Sequence, residues 1–379
     1  MFDLSRFRQE FEFTDQGLIF LHHSGVSPLP RSCASLMKQV ITEHESFSED
    51  DFSKLMQRID HARTSMGKLL QVPKNEIAFS ANTTEGINWV ANGLSWQKGD
   101  RVVTVRGEYP ANIYPWIRIQ QTKGIDLHFI EPVDNRVTLE MLEQALTPNT
   151  RLLAISFVEF ASGFRFDLEA VGTLCKDRGV LFLVDLIQGL GALPVDLKKA
   201  QVTFAAGGAQ KWLMGPTGVG YFYCAQEHLD LLEVTTVGAT TVRSIQPYLD
   251  YDFQLRKDTN RFEYGTLPNY SIIGMGAAVD LLLEAGAENI SQRIYKLTTM
   301  LVEGLQEAGF TCHSPRGENE WSGIVSFTHP DVPPQALTDI LWKNGIFARE
   351  REGYLRLAPH YYLTEEEIEK IIRTLAENV

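Results

Sequence analysis

The chain has 379 residues, with 35 Lys+Arg against 48 Asp+Glu and a formal net charge of −13. Such a field repels nucleic acid and anionic membrane surfaces, and a composition of 44% hydrophobic and 22% charged residues excludes disordered and fibrous classes. The length leaves room for two domains, or one large α/β domain, each with a real core.

The opening MFDLSRFRQEFEF has no uninterrupted apolar run, and no stretch approaches the ~20 apolar residues that span a bilayer. Helical spacing predicts helices over 32–45 and 52–70. Short β-rich runs at 76–80, 101–106, 125–130, 151–157 and 180–185 then alternate with helical patterns at 87–94, 110–123, 138–146 and 167–178. This alternation reads as repeated βα units and a mainly parallel sheet. A Gly/Ala-rich loop at 205–220 leads into a β-like run at 219–224. An irregular stretch at 234–261 and long helical patterns over 270–308 come next. The tail gives strands at 323–327, 345–349 and 354–357, and helices at 335–343 and 364–376. Glu365–Glu367 forms a solvated first turn, where carboxylates suit the helix dipole. The fold class expected is α/β: a large domain with a mainly parallel central sheet flanked by helices, and a smaller α+β C-terminal domain. Its boundaries are an arm over 1–20, the large domain over 21–285 and the small one over 286–379. Cys33, Cys175, Cys224 and Cys312 are far apart and form no C-x-x-C pair, so no zinc site or disulfide framework is expected and a reducing cytoplasm is the simplest location.

Three segments carry chemistry. Val180-Leu-Phe-Leu-Val-Asp185 is an apolar strand ending in a carboxylate, where open α/β sheets bind ligands; alone, Asp185 reads more readily as an ordinary turn or cap residue. Lys211 stands beside Trp212 among small apolar residues, which favours loss of its proton and nucleophilic use; alone, it reads equally as a snorkelling lysine in a structural turn. Asn82-Thr83-Thr84-Glu85-Gly86 joins a short strand to a helix, and free N–H groups and hydroxyls there suit a phosphate; alone, it is an ordinary helix cap. Together they supply the three grips that pyridoxal phosphate needs: a phosphate cradle, a carboxylate for the ring nitrogen and an amine for the aldehyde.

Six collinear segments extend this reading: NTTEGIN (82–88), EYPANIYPW (108–116), VDLIQGLGALPVDL (184–197), GGAQKWLMGPTGVG (207–220), RFEYGTLPN (261–269) and LRLAPHYYLTEEEI (355–368). Across most of its length the chain resembles the class V aminotransferases of fold-type I, the group that includes isopenicillin N epimerase-like enzymes, cysteine desulfurases and kynureninases. The resemblance implies that Lys211 holds pyridoxal 5'-phosphate as a Schiff base, Asp185 pairs with the pyridinium nitrogen and Gln188 bonds the phenolic oxygen. It further implies that Thr83 and Thr84 hold the phosphate, helped by Gly208 and Gln210 and, across a homodimer interface, by Thr266. Tyr109 would stack on the cofactor, and Arg356 would pair with the α-carboxylate of a small amino acid.

Departures from the pattern narrow the chemistry. Gly208 and Gln210 stand where relatives often have Ser and His, and Phe160 stands where desulfurase-like relatives carry Asn. The segment Ala348-Arg-Glu-Arg-Glu-Gly-Tyr354 lacks the cysteine that desulfurases present to substrate sulfur, so a desulfurase forming a persulfide on the enzyme is disfavoured. Aminotransferase chemistry is the leading expectation, with a β-eliminating C–S lyase or an amino-acid epimerase as competitors and a non-catalytic cofactor-binding homologue as the alternative of another class. A dinucleotide oxidoreductase fails because the glycines at 215–220 lead into a β-like run, where the fingerprint needs a helix.

Overall fold

The computed structural model describes residues 2–46 and 51–379. Helix α1 (Leu4–Arg8), the two-residue strand β1 (Ile19–Phe20) and the long helices α2 (Arg31–Ser46) and α3 (Asp51–Leu70) precede the alternating region. There β2 (Ile77–Ser80), α4 (Thr83–Gly93), β3 (Arg101–Val105), α5 (Tyr114–Lys123), β4 (Asp126–Ile130), α6 (Leu139–Ala145), β5 (Thr150–Ser156), α7 (Leu168–Arg178) and β6 (Leu181–Asp185) follow in turn. Strands β7 (Phe204–Gly208) and β8 (Gly220–Cys224) complete a seven-stranded sheet of order β2-β8-β7-β6-β5-β3-β4. Every neighbouring pair is parallel except those of β8, which runs against both β2 and β7.

Buried side chains on the sheet alternate between two apolar cores. Leu152 and Leu183 face Trp116, Ile87 and Phe222 on one side, while Leu153 and Phe182 face the core shared with Met66 and Met275 on the other. Each such side chain contributes about 1.5–3 kcal/mol through burial, so the strand register is firmly fixed. Local signals set the helix ends: Asn82 caps α4 by accepting from Glu85 N at 3.0 Å, and Asp167 caps α7, which stops at Gly179 with φ of 66°.

One expectation fails here. Residues 204–208 belong to a strand and not to a loop, with all five residues buried between β6 and β8. Phe-Ala-Ala-Gly-Gly has little strand preference of its own. The glycine at 207 is demanded by tertiary packing, because a Cβ there would collide with the Tyr221 hydroxyl arriving from β8.

The two long helices α8 (Asn269–Ala285) and α9 (Ala287–Glu307) meet at Gly286 with a bend of 80°. No single helix among the described residues is long and apolar enough to cross a membrane. Beyond α9, β9 (Thr311–Cys312), β10 (Val325–Thr328), α10 (Pro334–Lys343), β11 (Ile346–Phe347), β12 (Arg349–Arg351), β13 (Tyr354–Leu357) and α11 (Glu365–Ala376) build an antiparallel sheet of order β12-β13-β10-β9 with helices against it. The strand expected at 345–349 is split into β11 and β12. Its first half pairs in parallel with β1 and its second with β13, so the chain turns between two sheets. Helix α11 opens as its carboxylates suggest, with a Thr364/Glu367 capping box, and Glu367 grips Arg8 at 2.6 and 2.8 Å.

Candidate active site

The C-terminal ends of β5, β6 and β7 and the first turn of α4 open on the same side of the sheet, which is where the residues singled out above gather. Asp185 ends β6 at 2% exposure, opposite Ser156 of β5, and accepts a hydrogen bond from Ile187 N at 2.9 Å. Burial raises its carboxyl to about 6, held back by the Ile187 N–H and by Lys211. Lys211 follows β7 in a tight loop. Its carbonyl accepts from Ser27 Oγ at 2.6 Å and from Met214 N at 2.9 Å, and Met214 takes a positive φ of 55°. Burial pulls the half-buried ammonium down to about 8; Asp185 opposes this, and Arg356 and Arg351 assist it. At pH 7 about a tenth of such amines are neutral, several hundred times more than at the ordinary lysine value.

Tyr109 lies 48% exposed over this group, with Lys211 Nζ 5.7 Å from its ring centroid and Phe160 packed edge-on at 5.4 Å. Arg356, on β13, is 2% exposed, yet among the described residues its side chain makes one hydrogen bond, from Nη1 to Phe160 O at 2.6 Å, and its Nε has no partner. Burial, then Arg351, lowers its guanidinium to about 10. A buried guanidinium with no carboxylate is costly unless an anion arrives. Phe160 thus loses the side-chain amide of its desulfurase-like counterparts but fixes both Tyr109, through its ring, and Arg356, through its carbonyl.

The phosphate end is also recognisable. Thr83 opens α4 at 5% exposure with its Oγ1 unpartnered, an orphaned hydroxyl beside free helix N–H groups; Thr84 is exposed next to it. Gly208 ends β7, and a Cβ there would stand 2.5 Å from Gln210 Oε1. These groups fit a phosphate, and the Lys211–Asp185 pair fits an aldehyde and a ring nitrogen. Gln188 is buried at the site, but its amide is already tied: Nε2 donates to Ser24 O at 3.0 Å and Oε1 accepts from Trp212 Nε1 at 3.1 Å, leaving one N–H for another partner. Thr266 is exposed, with no hydrogen bond among the described residues linking it to this group.

Sequence reasoning missed two acids and a histidine. Glu108 accepts from Ser156 N and, at 2.6 Å, from Ser156 Oγ; burial raises its carboxyl to about 7. Glu159 is buried with Oε1 unpartnered, and burial, then Glu108 and Asp185, raise it well above the carboxylate range. His22, bridged to Ala358 beside β13, has a buried and unpartnered Nδ1. Glu108 lies in the EYPANIYPW segment and Glu159 directly precedes Phe160, but nothing in one dimension marks either acid as buried, or His22 as part of the group.

The family model for Aminotransferase class-V matches residues 19–373. The chain belongs to the class V aminotransferase family. Its cofactor is pyridoxal 5'-phosphate, and its fold is that of the fold-type I enzymes. A probable cysteine desulfurase of Pyrococcus abyssi is 28% identical over 96% of this chain and 95% of its own. The apo structure of the cysteine desulfurase from Thermococcus onnurineus NA1 superposes with a TM-score of 0.91 at 26% identity, over 98% of this chain and 97% of that one. C-DES aligns with a TM-score of 0.89 at 25% identity over 99% of both chains in a lysine-to-alanine variant with glycine covalently linked to the PLP cofactor. A second C-DES structure, described as a cystine C-S lyase with its product cysteine persulfide, gives a TM-score of 0.88 at 26% identity over 95% of this chain and 97% of that one.

These names do not single out transamination, and they run against the expectation that desulfurase chemistry is disfavoured. No cysteine lies on the β12–β13 hairpin, at the ends of β5, β6 and β7, or on the loops of Tyr109 and Lys211. Burial pushes the Cys33 and Cys175 thiols up to about 12 and raises those of Cys224 and Cys312.

Proposed function

We propose that the protein is a C–S lyase that eliminates the β-substituent of a small sulfur-containing amino acid and releases the sulfur product without binding it to a protein thiol. The observation that carries this reading is a thiol-free site: Lys211, Asp185 and the unpaired Arg356 converge there, in a chain whose relatives are named for cysteine desulfurization and cystine C–S cleavage. When bound, pyridoxal phosphate supplies an electron sink for bonds broken at the substrate's Cα and Cβ. Arg356 would receive the α-carboxylate bidentately through Nε and the second Nη, which have no hydrogen-bond partner among the described residues. Asp185, when ionised, would hold a proton on the cofactor's ring nitrogen. With the cofactor bound, Lys211 Nζ would take the Cα proton and return one to the departing sulfur; an amine near 8 suits both transfers. Tyr109 and Phe160 cover the open side and limit water. The balanced outcome is one thiol, one pyruvate and one ammonia for each S-substituted cysteine and water consumed. A homodimer in which Thr266 completes the neighbour's phosphate site is part of the same proposal.

The test is holoenzyme with cystine, S-methylcysteine, cysteine and alanine, following thiol, pyruvate and keto-acid-dependent amino transfer separately. Thiol and pyruvate in equal amounts without an added keto acid are expected, and Lys211→Ala abolishes both. Conversion only in the presence of a keto-acid acceptor establishes transamination instead, and no turnover of any substrate removes the catalytic reading.

A further inference from the structure

We infer that Arg351 of the β12–β13 hairpin and His22 form a second anion subsite beside Arg356, so that the substrate carries a negatively charged group, a carboxylate or a sulfur oxyacid, at its side-chain end. This rests on the amino-acid site proposed above and names its substrate class.

The hairpin register places Arg349 opposite Arg356 and Arg351 opposite Tyr354. Alternation therefore puts the side chains of Arg349, Arg351 and Arg356 on one face. That face meets the large domain at the site: Arg356 Nη1 donates to Phe160 O, and Ser326, opposite Arg356 on β10, donates through Oγ to Ala161 O, each at 2.6 Å. Among the described residues none of the three guanidiniums has a carboxylate within ion-pair distance. Arg349 is occupied otherwise, 4.4 Å over the Trp342 ring. The Arg351 side chain is exposed, with no hydrogen-bond partner among the described residues. The acid between them, Glu350, points to the other face by alternation, and its carboxylate accepts from Gly353 N at 2.7 Å.

His22 closes the group from the N-terminal segment. Its bridge to Ala358 sets it two residues beyond Arg356, and its Nδ1 is buried without a partner, so the neutral ring has one donor to give. Burial first, then Arg356, Arg349, Arg351 and Lys211, keep that ring uncharged down to about 4. One α-carboxylate satisfies Arg356. Glu350 acts on Arg356 from the other face and Asp185 is the counter-charge of Lys211, so among the described residues no carboxylate is within ion-pair distance of Arg351 or the His22 donor. A second anion on the ligand supplies the missing partner.

Unreactive probes separate this inference from the reaction. Holoenzyme is titrated by calorimetry with succinate, 3-sulfopropanoate and butyrate, alike in length but differing in the second charge. At least one of the two dianions is expected to bind about tenfold or more tighter than butyrate. The ratio is expected to fall to about one in Arg351→Gln and to recover in part in Arg351→Lys. Equal binding of all three by the wild type overturns the inference, as does an unchanged ratio in Arg351→Gln. Because none of the probes reacts, a failed C–S cleavage assay leaves this result standing, and the reverse also holds.

Discussion

Asp185, Glu108 and Glu159 place three carboxyls in one buried region, and only Asp185 has an evident counter-charge in Lys211. The sign of the cost follows from linkage. Glu159 keeps its proton to higher pH in the folded chain than when unfolded, so folding takes up a proton above the unfolded value of about 4.3 and this group weakens the fold as pH rises. At pH 5 the neutral acid and an amide are nearly equivalent. Glu159→Gln is therefore expected to raise the melting temperature of the cofactor-free protein at pH 8 and to change it little at pH 5. Equal shifts at both values in thermal melts would show that Glu159 ionises freely in the fold. Such a group is invisible in sequence, where Glu159 is one acid among 48 Asp+Glu. Lys211, Asp185 and Arg356 were legible because each sits at a landmark: a Gly-rich turn after a strand, a strand end, or an alternating strand in a recognised segment.

Helix α4 and strand β7 show the same contrast among elements. Val-, Ile- and Leu-rich strands such as β3 and β5 announce themselves through β-branched runs, and the sheet core was readable within a residue or two. Strand β7 was not, because its Ala-Ala-Gly-Gly serves to make space. Gly86 of α4 packs on that strand, where an added Cβ would lie 2.9 Å from Ala206 Cβ and 3.4 Å from Phe222 Cδ2. This closeness sets Thr83 and the free N–H groups at the sheet edge. Gly86→Val adds volume to a filled contact, at about 1–3 kcal/mol, and shifts the helix start. Cofactor affinity, measured by dialysis and absorbance, is expected to fall at least tenfold; unchanged affinity would mean that the α4 terminus does not hold the phosphate.

The molecule is also tied end to end. Phe11 is 1% exposed and stacks on Tyr362 with ring centroids 3.8 Å apart, Arg8 grips Glu367, and β1 lies parallel to β11. Behind Lys211, His23 bonds Tyr362 Oη at 2.9 Å and His360 bonds Trp212 O at 3.0 Å, so the C-terminal segment, the N-terminal segment and the lysine loop share one packed cluster. Phe11→Ala removes about 3 kcal/mol of packing. Amide exchange at Ile19 and Leu21, which donate to Gly345 O and Phe347 O, is expected to quicken by roughly a hundredfold, while the amides of β5 stay protected. Loss of protection throughout would instead make the arm part of the global fold. The pairing of β1 with β11 also bears on the order of assembly in the cell. Ribosomes add roughly 5–20 residues per second, so Ile19 emerges tens of seconds before its partner Ile346 exists. Through that interval the seven-stranded sheet can close while the arm, with its apolar Phe7, Phe11 and Phe13, waits exposed, a stage at which a chaperone has a defined segment to hold.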